Sequence, residues 1–219
     1  GSWKANCAKP TMGFSPQKIR EQIHRKRKKL SRFQVKKDSK QVIFKFFHAI
    51  EISPYSLRGK KIALFRSLPW EVELVALERA LKKRGAEIYF PRVTHPGSGK
   101  MELIKFDTKV GRKFWVIGPY GIEQPQPGYR ATQPSHLDLI FVPGVAFGTS
   151  GERIGMGAGY YDRILARSKK ALKVAFAFDF QILPQIPQKS WDQKIDWIIS
   201  PSYEIKGAGV FKKLLRRLD

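Results

Sequence analysis

Between Leu137 and Val142 the chain reads LDLIFV, a short apolar run closed abruptly by Pro143 and Gly144. A strand that is apolar at almost every position has no face to offer water, so it belongs inside a parallel sheet covered on both sides. The flanking segments fit that demand. Lys61 to Arg66 (KIALFR) reads as a second buried strand, Glu71 to Arg84 as a helix closed by Gly85, and Glu87 to Phe90 (EIYF) as a strand ended by Pro91. Beyond the central run come a helix from about Gly159 to Ser168, strands at Leu172 to Phe178 and Asp196 to Ser200, and an amphipathic helix near Val210 to Leu218. Strands alternating with helices predict an α/β fold: a single three-layer domain with a mostly parallel central sheet flanked by helices.

Two helices are expected ahead of this pattern. Ser15 is a suitable N-cap with Pro16 at the first helical position, followed by Ile19, Ile23 and Leu30 on one side and a dense basic face on the other. A second helix is expected from Ser39 to about Ile50, where Ile43, Phe46, Phe47 and Ile50 keep three-and-four spacing. Residues 1–14 carry little pattern and read as a tail, with Gly1 and Ser2 a cloning remnant. Residues 15–219 read as one domain. The stretch from Val93 to Pro134 is rich in Gly and Pro and reads as a crossover with an antiparallel hairpin, its strands near Met101 to Phe106 and Phe114 to Ile117.

The 219 residues carry 42 Lys and Arg against 18 Asp and Glu, a net charge of +24, so the protein sets up a field that attracts anions. The basic residues recur around Lys60, Lys82 to Arg84, Lys169 to Lys173 and Lys212 to Arg217 as well as in the first helix. That dispersal favours a generally basic proteome or small anionic ligands over a dedicated DNA tail, and no nucleic-acid recognition motif is present. Cys7 is the only cysteine and cannot form an internal disulfide, which suits a reducing cytoplasm. No apolar run reaches the roughly 18 residues of a membrane span, so no membrane partner is expected. His24, His48, His95 and His136 lack zinc-ligand spacing, and no GxSxG elbow occurs.

The chemistry concentrates after the central strand, in RIGMGAGYYD from Arg153 to Asp162. In open α/β sheets ligands bind beyond the carboxyl ends of the strands, which is where this loop falls. Gly155, Gly157 and Gly159 let the backbone approach a ligand and aim amides at phosphate oxygens, and the helix that follows adds its positive end. Arg153 offers a planar fork for phosphate, Asp162 a hard oxygen ligand for magnesium, and Tyr160 and Tyr161 ring faces for a flat heterocycle. The string is neither a Walker loop nor a dinucleotide fingerprint.

LDLIFVPGVAF followed by RIGMGAGYYD closely resembles the signature of the 5-formyltetrahydrofolate cyclo-ligase family, also called methenyltetrahydrofolate synthetase. IREQIHRKRKKLS, SLPWEVEL, FPRV, YGIEQPQP and AFAFDFQILPQIPQKSWDQKIDWII are similar to other family segments in the same order, so the resemblance spans roughly residues 15–200. It implies ATP and Mg2+ as cofactors and 5-formyltetrahydrofolate, with or without a polyglutamate tail, as substrate; a monomer is expected. It also implies roles. Arg153 would be catalytic and, with Arg20, Gly155, Met156, Gly157, Ala158, Gly159, Tyr160 and Tyr161, would bind ATP. Glu71, Tyr120 and Tyr161 would contact the folate, and Asp162 and Asp196 would hold the metal. The chain departs from the family pattern at Pro16, where a lysine is usual, at Gly148, where an acid is common, and at Met156 and Ala158, where basic residues often stand. These departures bear on ATP affinity and turnover, and leave room for a weakly active nucleotide- or folate-binding paralogue as the first alternative, with a nucleic-acid-binding protein, resting on the +24 charge, as the second.

Overall fold

A computed structural model describes residues 15–189, 192–207 and 209–214. The expected tail at residues 1–14 and the end of the last helix past Leu214 lie outside them. Helix α1 spans Pro16–Arg27, with Ser15 accepting the Lys18 amide as N-cap, as the sequence indicates. Helix α2 spans Arg32–Glu51, starting well before the expected Ser39. Ser31 caps it, and its first two turns face water on their outer side, so no full apolar stripe announces them.

Strand β1 (Lys61–Ala63) leads to helix α3 (Val75–Lys83), then strand β2 (Glu87–His95) and strand β3 (Lys100–Lys105). The helix begins later than expected, leaving Glu71 in the turn ahead of it. Pro91 does not end β2. It lies past Tyr89, the last residue that β1 pairs, so its missing N–H removes no bond to β1, and it pairs with Leu103 of β3. Strands β4 (Trp115–Ile117) and β5 (Glu123–Pro125) form a hairpin, β6 (Ala131–Thr132) is an edge, and β7 (Leu139–Phe141) is the core of the central run. Then follow β8 (Ala146–Gly148), β9 (Arg153–Ile154), α4 (Tyr160–Arg167), β10 (Leu172–Phe176), β11 (Ile182–Leu183), β12 (Trp197–Ile199), β13 (Glu204–Lys206) and α5 (Gly209–Leu214).

The main sheet runs β13-β12-β10-β7-β1-β2-β3-β6, parallel from β12 to β2 and antiparallel at both margins. The chain moves from β1 outward to β2 and later returns to lay β7 against the other side of β1. That reversal makes a topological switch point between β1 and β7, the place where a doubly wound sheet opens a crevice at its carboxyl end. Helices cover both faces, as expected. On one, Phe46 of α2 is fully buried among Phe141, Phe176 and Trp197, with ring centroids at 5.2, 6.0 and 5.5 Å. Burying such a ring contributes about 2–3 kcal/mol. On the other, Ile164 and Leu165 of α4 pack with Ile140, Val142 and Ala175. A small sheet, β11-β8-β9, was not foreseen from sequence. It lies under α1, whose Ile19 and Ile23 meet Ala146 and Ile154, so it joins the first helix to the glycine loop.

Candidate active site

The turns that follow β1 and β7 meet at the switch point. After β1 the chain passes Ser67 to Glu71 as a tight turn: the Glu71 amide donates to Leu68 O (2.9 Å), and Glu71 Oε2 accepts the Leu68 amide (3.0 Å). This local closure turns the carboxylate inward. Desolvation raises the pKa of Glu71, offset in part by the Leu68 amide and by the charge of Arg27. The resulting group is a buried carboxyl whose pKa lies above the ordinary carboxylate value.

Arg27 is the residue that sequence reading left among the solvated charges of the first helix. Its side chain is only 4% exposed. It lies on the Ile19–Ile23 face of α1, donates to Gly144 O at 2.7 Å, approaches Glu71 Oε1 at 4.0 Å, and keeps its buried Nε without a partner. Burial lowers its pKa, with Glu71 opposing the shift. The regular step from Ile19 through Ile23 to Arg27 was the available signal, because helix positions four apart share a face. Gln181 completes this floor: its Nε2 donates to Gly144 O and Val145 O, both at 3.0 Å, and its Oε1 accepts the Phe178 amide. The carbonyls of Gly144 and Val145, just past the end of β7, are thus held in place. His24 and Trp70 meet edge to face at 6.2 Å beside it.

The glycine loop runs from β9 to α4. Gly157 and Gly159 have φ of +107° and +70°, conformations that cost other residues strain, and Gly159 caps α4 from the left-handed region. At Gly155 a Cβ would stand 2.5 Å from a terminal nitrogen of Arg153, so a side chain there would displace that guanidinium. Arg20 reaches across from α1 and donates from Nε to Gly155 O at 2.8 Å. Met156 is 76% exposed and Ala158 is exposed, so the two departures inside the loop face outward. At Gly148 the neighbouring Glu152 fills the space: a Cβ would lie 2.2 Å from its Oε2.

The Arg153 side chain is 6% exposed. It donates to Asp162 Oδ1 at 2.6 Å and to Pro143 O at 3.3 Å, sits 6.0 Å from the Tyr161 ring, and leaves its own buried Nε unpartnered. Tyr161 has its pKa raised, first by burial and then by the charge of Glu71, so it stays a neutral phenol between the two halves of the site. Tyr160 accepts the Gly97 amide at 3.1 Å, and Arg163 donates to Ser98 O at 3.0 Å, which pins the β2–β3 turn over the start of α4. Tyr120 is exposed, holds φ of +66° and lies beside Tyr160. Strain at an exposed aromatic beside a cleft points to a functional position.

Arg20, Arg27, Glu71, Arg153, Tyr161 and Asp162 therefore form one linked group, with Tyr120 and Tyr160 at its rim. Asp196 stands apart from Asp162 in this structure. Asp196 Oδ2 accepts the Lys173 amide (2.9 Å) and Lys213 Nζ (2.6 Å) at the start of β12. That is the amino end of the parallel strands, while Asp162 is in the first turn of α4 at the carboxyl end. The five residues of β10, at about 3.3 Å each, lie between the two levels. Among the described residues no group of three or more His, Cys, Asp or Glu is placed to hold a metal. Asp162 alone fits a magnesium ion that arrives with phosphate oxygens, because Mg2+ accepts one or two carboxylates and fills its remaining positions with phosphate and water. No described helix is long and apolar enough to cross a membrane.

Comparison with known proteins gives one answer. The model of the 5-formyltetrahydrofolate cyclo-ligase family matches residues 14–201. The chain is similar to the 5-formyltetrahydrofolate cyclo-ligase of Haemophilus influenzae (30% identity over 182 residues, 80% of this chain and 92% of that protein). It is also similar to those of Escherichia coli K12 (31% over 153 residues, 68% and 82%) and Mus musculus (33% over 149 residues, 64% and 73%). Among solved structures, it resembles the 5,10-methenyltetrahydrofolate synthetase of Aquifex aeolicus, with a TM-score of 0.71, 30% identity and coverage of 87% of this chain and 92% of that one.

Proposed function

The chain belongs to the 5-formyltetrahydrofolate cyclo-ligase family, and from that premise we propose that it converts 5-formyltetrahydrofolate to 5,10-methenyltetrahydrofolate with consumption of ATP and magnesium. One observation carries the reading: two arginines from different elements, Arg20 and Arg153, converge on an alternating-glycine loop beside the inward-turned Glu71. In the reaction the formyl oxygen accepts the terminal phosphoryl group, N10 attacks the formyl carbon, and the oxygen departs with phosphate while N10 gives up its proton. Positioning and charge stabilisation suffice for such chemistry.

Each residue then has a task. Arg20 and the amides of Gly155 to Gly159 would hold the phosphates, and the exposed Met156 and Ala158 would contribute backbone alone. Arg153 would place its guanidinium on the transferred group, exchanging its bond to Asp162 for phosphate oxygens. The freed Asp162 would supply the single protein carboxylate to magnesium, which when bound neutralises phosphate charge. Glu71 would accept the N–H groups of the pterin, with Tyr161 and Tyr120 against the ring system. A monomer working in the cytoplasm meets these needs.

The test is direct: protein, ATP, magnesium and 5-formyltetrahydrofolate are mixed and the ultraviolet absorbance of the methenyl product is followed. ATP-dependent growth of that band is expected. Its absence at high enzyme concentration, with nucleotide binding retained, would favour the paralogue that binds without turnover. Asp162→Asn should raise the magnesium concentration needed for half-maximal rate, and an unchanged requirement would remove Asp162 from the metal.

Glu71 gives a pH signature. Its ionised form is the acceptor, and its pKa is raised by burial. KM for the folate is therefore expected to fall as pH rises through that raised value. The effect on folding has the opposite sign: stability is fully present below the unfolded carboxylate value of about 4.3 and is lost as pH climbs through the folded pKa. Glu71→Gln should flatten both profiles. A wild-type KM that does not vary with pH would count against the assignment.

A further inference from the structure

The basic residues look dispersed in the sequence, but α2 organises some of them. Phe33, Lys37, Lys40, Phe44 and His48 follow four-and-three spacing, so they share one face of the helix. That face points away from the core: Phe33 is 77% and Phe44 70% exposed, and both lysines and the histidine have no ion-pair partner among the described residues. Phe44 and His48 lie parallel, at 5° and a centroid distance of 6.0 Å, forming a two-ring platform. Lys29 and Arg32 extend the positive charge into the turn before Phe33. Between Glu21 and Glu51 the only carboxylate is Asp38, which is buried and accepts a bond from Gln34. Among the described residues of this helix, no exposed carboxylate stands between Phe33 and His48.

Two large apolar rings left in water need a reason, and the arrangement of the charges selects one. A helix that lies on a membrane separates an apolar face from a basic one. Here two lysines lie between two phenylalanines on the same line, so apolar and basic groups share one face, the pattern that holds a polyanion whose flat bases stack while its phosphates are neutralised. Phe33 and Phe44 stand eleven residues apart, about 16 Å along the helix axis at 1.5 Å per residue, a span of four to five stacked nucleotides at about 3.4 Å each. Unpaired bases are the usual state of RNA loops and ends. We propose that the outer face of α2, from Phe33 to His48, is a docking surface for single-stranded RNA. The surface is separate from the cleft between β1 and β7 and does not depend on the reaction assigned to it.

The test uses the whole protein and a fluorescein-labelled, mixed-sequence single-stranded RNA of fifteen nucleotides, read by anisotropy between 50 and 200 mM salt. Binding is expected to weaken with salt, and Lys37→Gln combined with Lys40→Gln should flatten the slope of log K against log salt by about 1.4, at 0.7 for each phosphate no longer neutralised. Phe33→Ala and Phe44→Ala should each weaken binding at least about fivefold with no change in slope, the result expected when stacking alone is removed. Circular dichroism and the cyclisation rate report that the variants stay folded. Three results would overturn the proposal: no salt-dependent binding; binding indifferent to both phenylalanines or equally tight to duplex RNA, which reduces the effect to net charge; or phenylalanine-dependent binding to vesicles of anionic phospholipid without binding to RNA.

Discussion

Arg27→Ala is expected to lower the melting temperature by roughly 6–12 °C and to raise KM for the folate more than it lowers kcat. The guanidinium is buried, donates to Gly144 O and stands across from Glu71. Its removal leaves a buried carbonyl short of a strong donor and a buried carboxylate without its counter-charge, at a cost of about 3 kcal/mol. For a chain of this length each kcal/mol lowers the melting temperature by about 2–4 °C. Protonation of Glu71 limits the loss, and it also carries the functional signal. Arg27 holds the Glu71 pKa down against desolvation, so in the variant the fall of KM with pH should move to higher pH. Arg27→Lys should recover part of the stability, because an ammonium can pair with Glu71 but cannot present a fork to both partners. A melting temperature within about 1 °C of wild type, together with an unshifted KM profile, would show that Arg27 positions neither group.

Arg153→Ala is expected to cut kcat about a thousandfold while changing the melting temperature little. In the structure its guanidinium is divided between Asp162 and Pro143 O with Nε unpartnered, so donor capacity is already desolvated and aimed along the glycine loop. Preorganised donors of this kind stabilise charge that develops during transfer, and removing one costs about 10²–10³ in rate, with arginines on transferred phosphoryl groups at the upper end and beyond. The Asp162 left behind is 30% exposed and can be solvated, which keeps the stability cost small. Lysine at this position should restore little, since a point charge cannot reproduce a planar fork. Retention of kcat within tenfold of wild type at saturating ATP would assign the chemistry elsewhere. A loss confined to KM would make Arg153 a binding group only.

Both residues illustrate what can be read without coordinates. Arg153 was legible because its neighbours are local: three alternating glycines, a following helix and a preceding buried strand lie within one short stretch. Arg27 was not, because a charged residue in a helix of charged residues carries no mark of burial until the other elements are packed against it. The single hint, its place on the Ile19–Ile23 face, competes with the ordinary tendency of arginine to be solvated. Helix α2 shows the same limit from the other side. Its core stripe predicts a helix from Ser39, but the turns from Arg32 lean on a serine cap and on lysines and a phenylalanine that face water.

What the sequence determined by itself was the set of local structures and their order: a buried strand over Leu139–Phe141, a glycine start to α4, a serine-capped first helix and, through their succession, an α/β fold with a mostly parallel sheet. These depend on hydrophobic period, on φ that only glycine adopts easily and on caps, all of which act over a few residues. Only the tertiary structure decided which charges meet. Strand direction sent Asp196 to the amino end of the sheet against Lys173 and Lys213, and the return of β7 to the side of β1 brought Glu71 and Arg27 to Gly144. Arg27 and the carbonyl it holds stand 117 residues apart in the chain. Topology joins them, and no local preference encodes that distance.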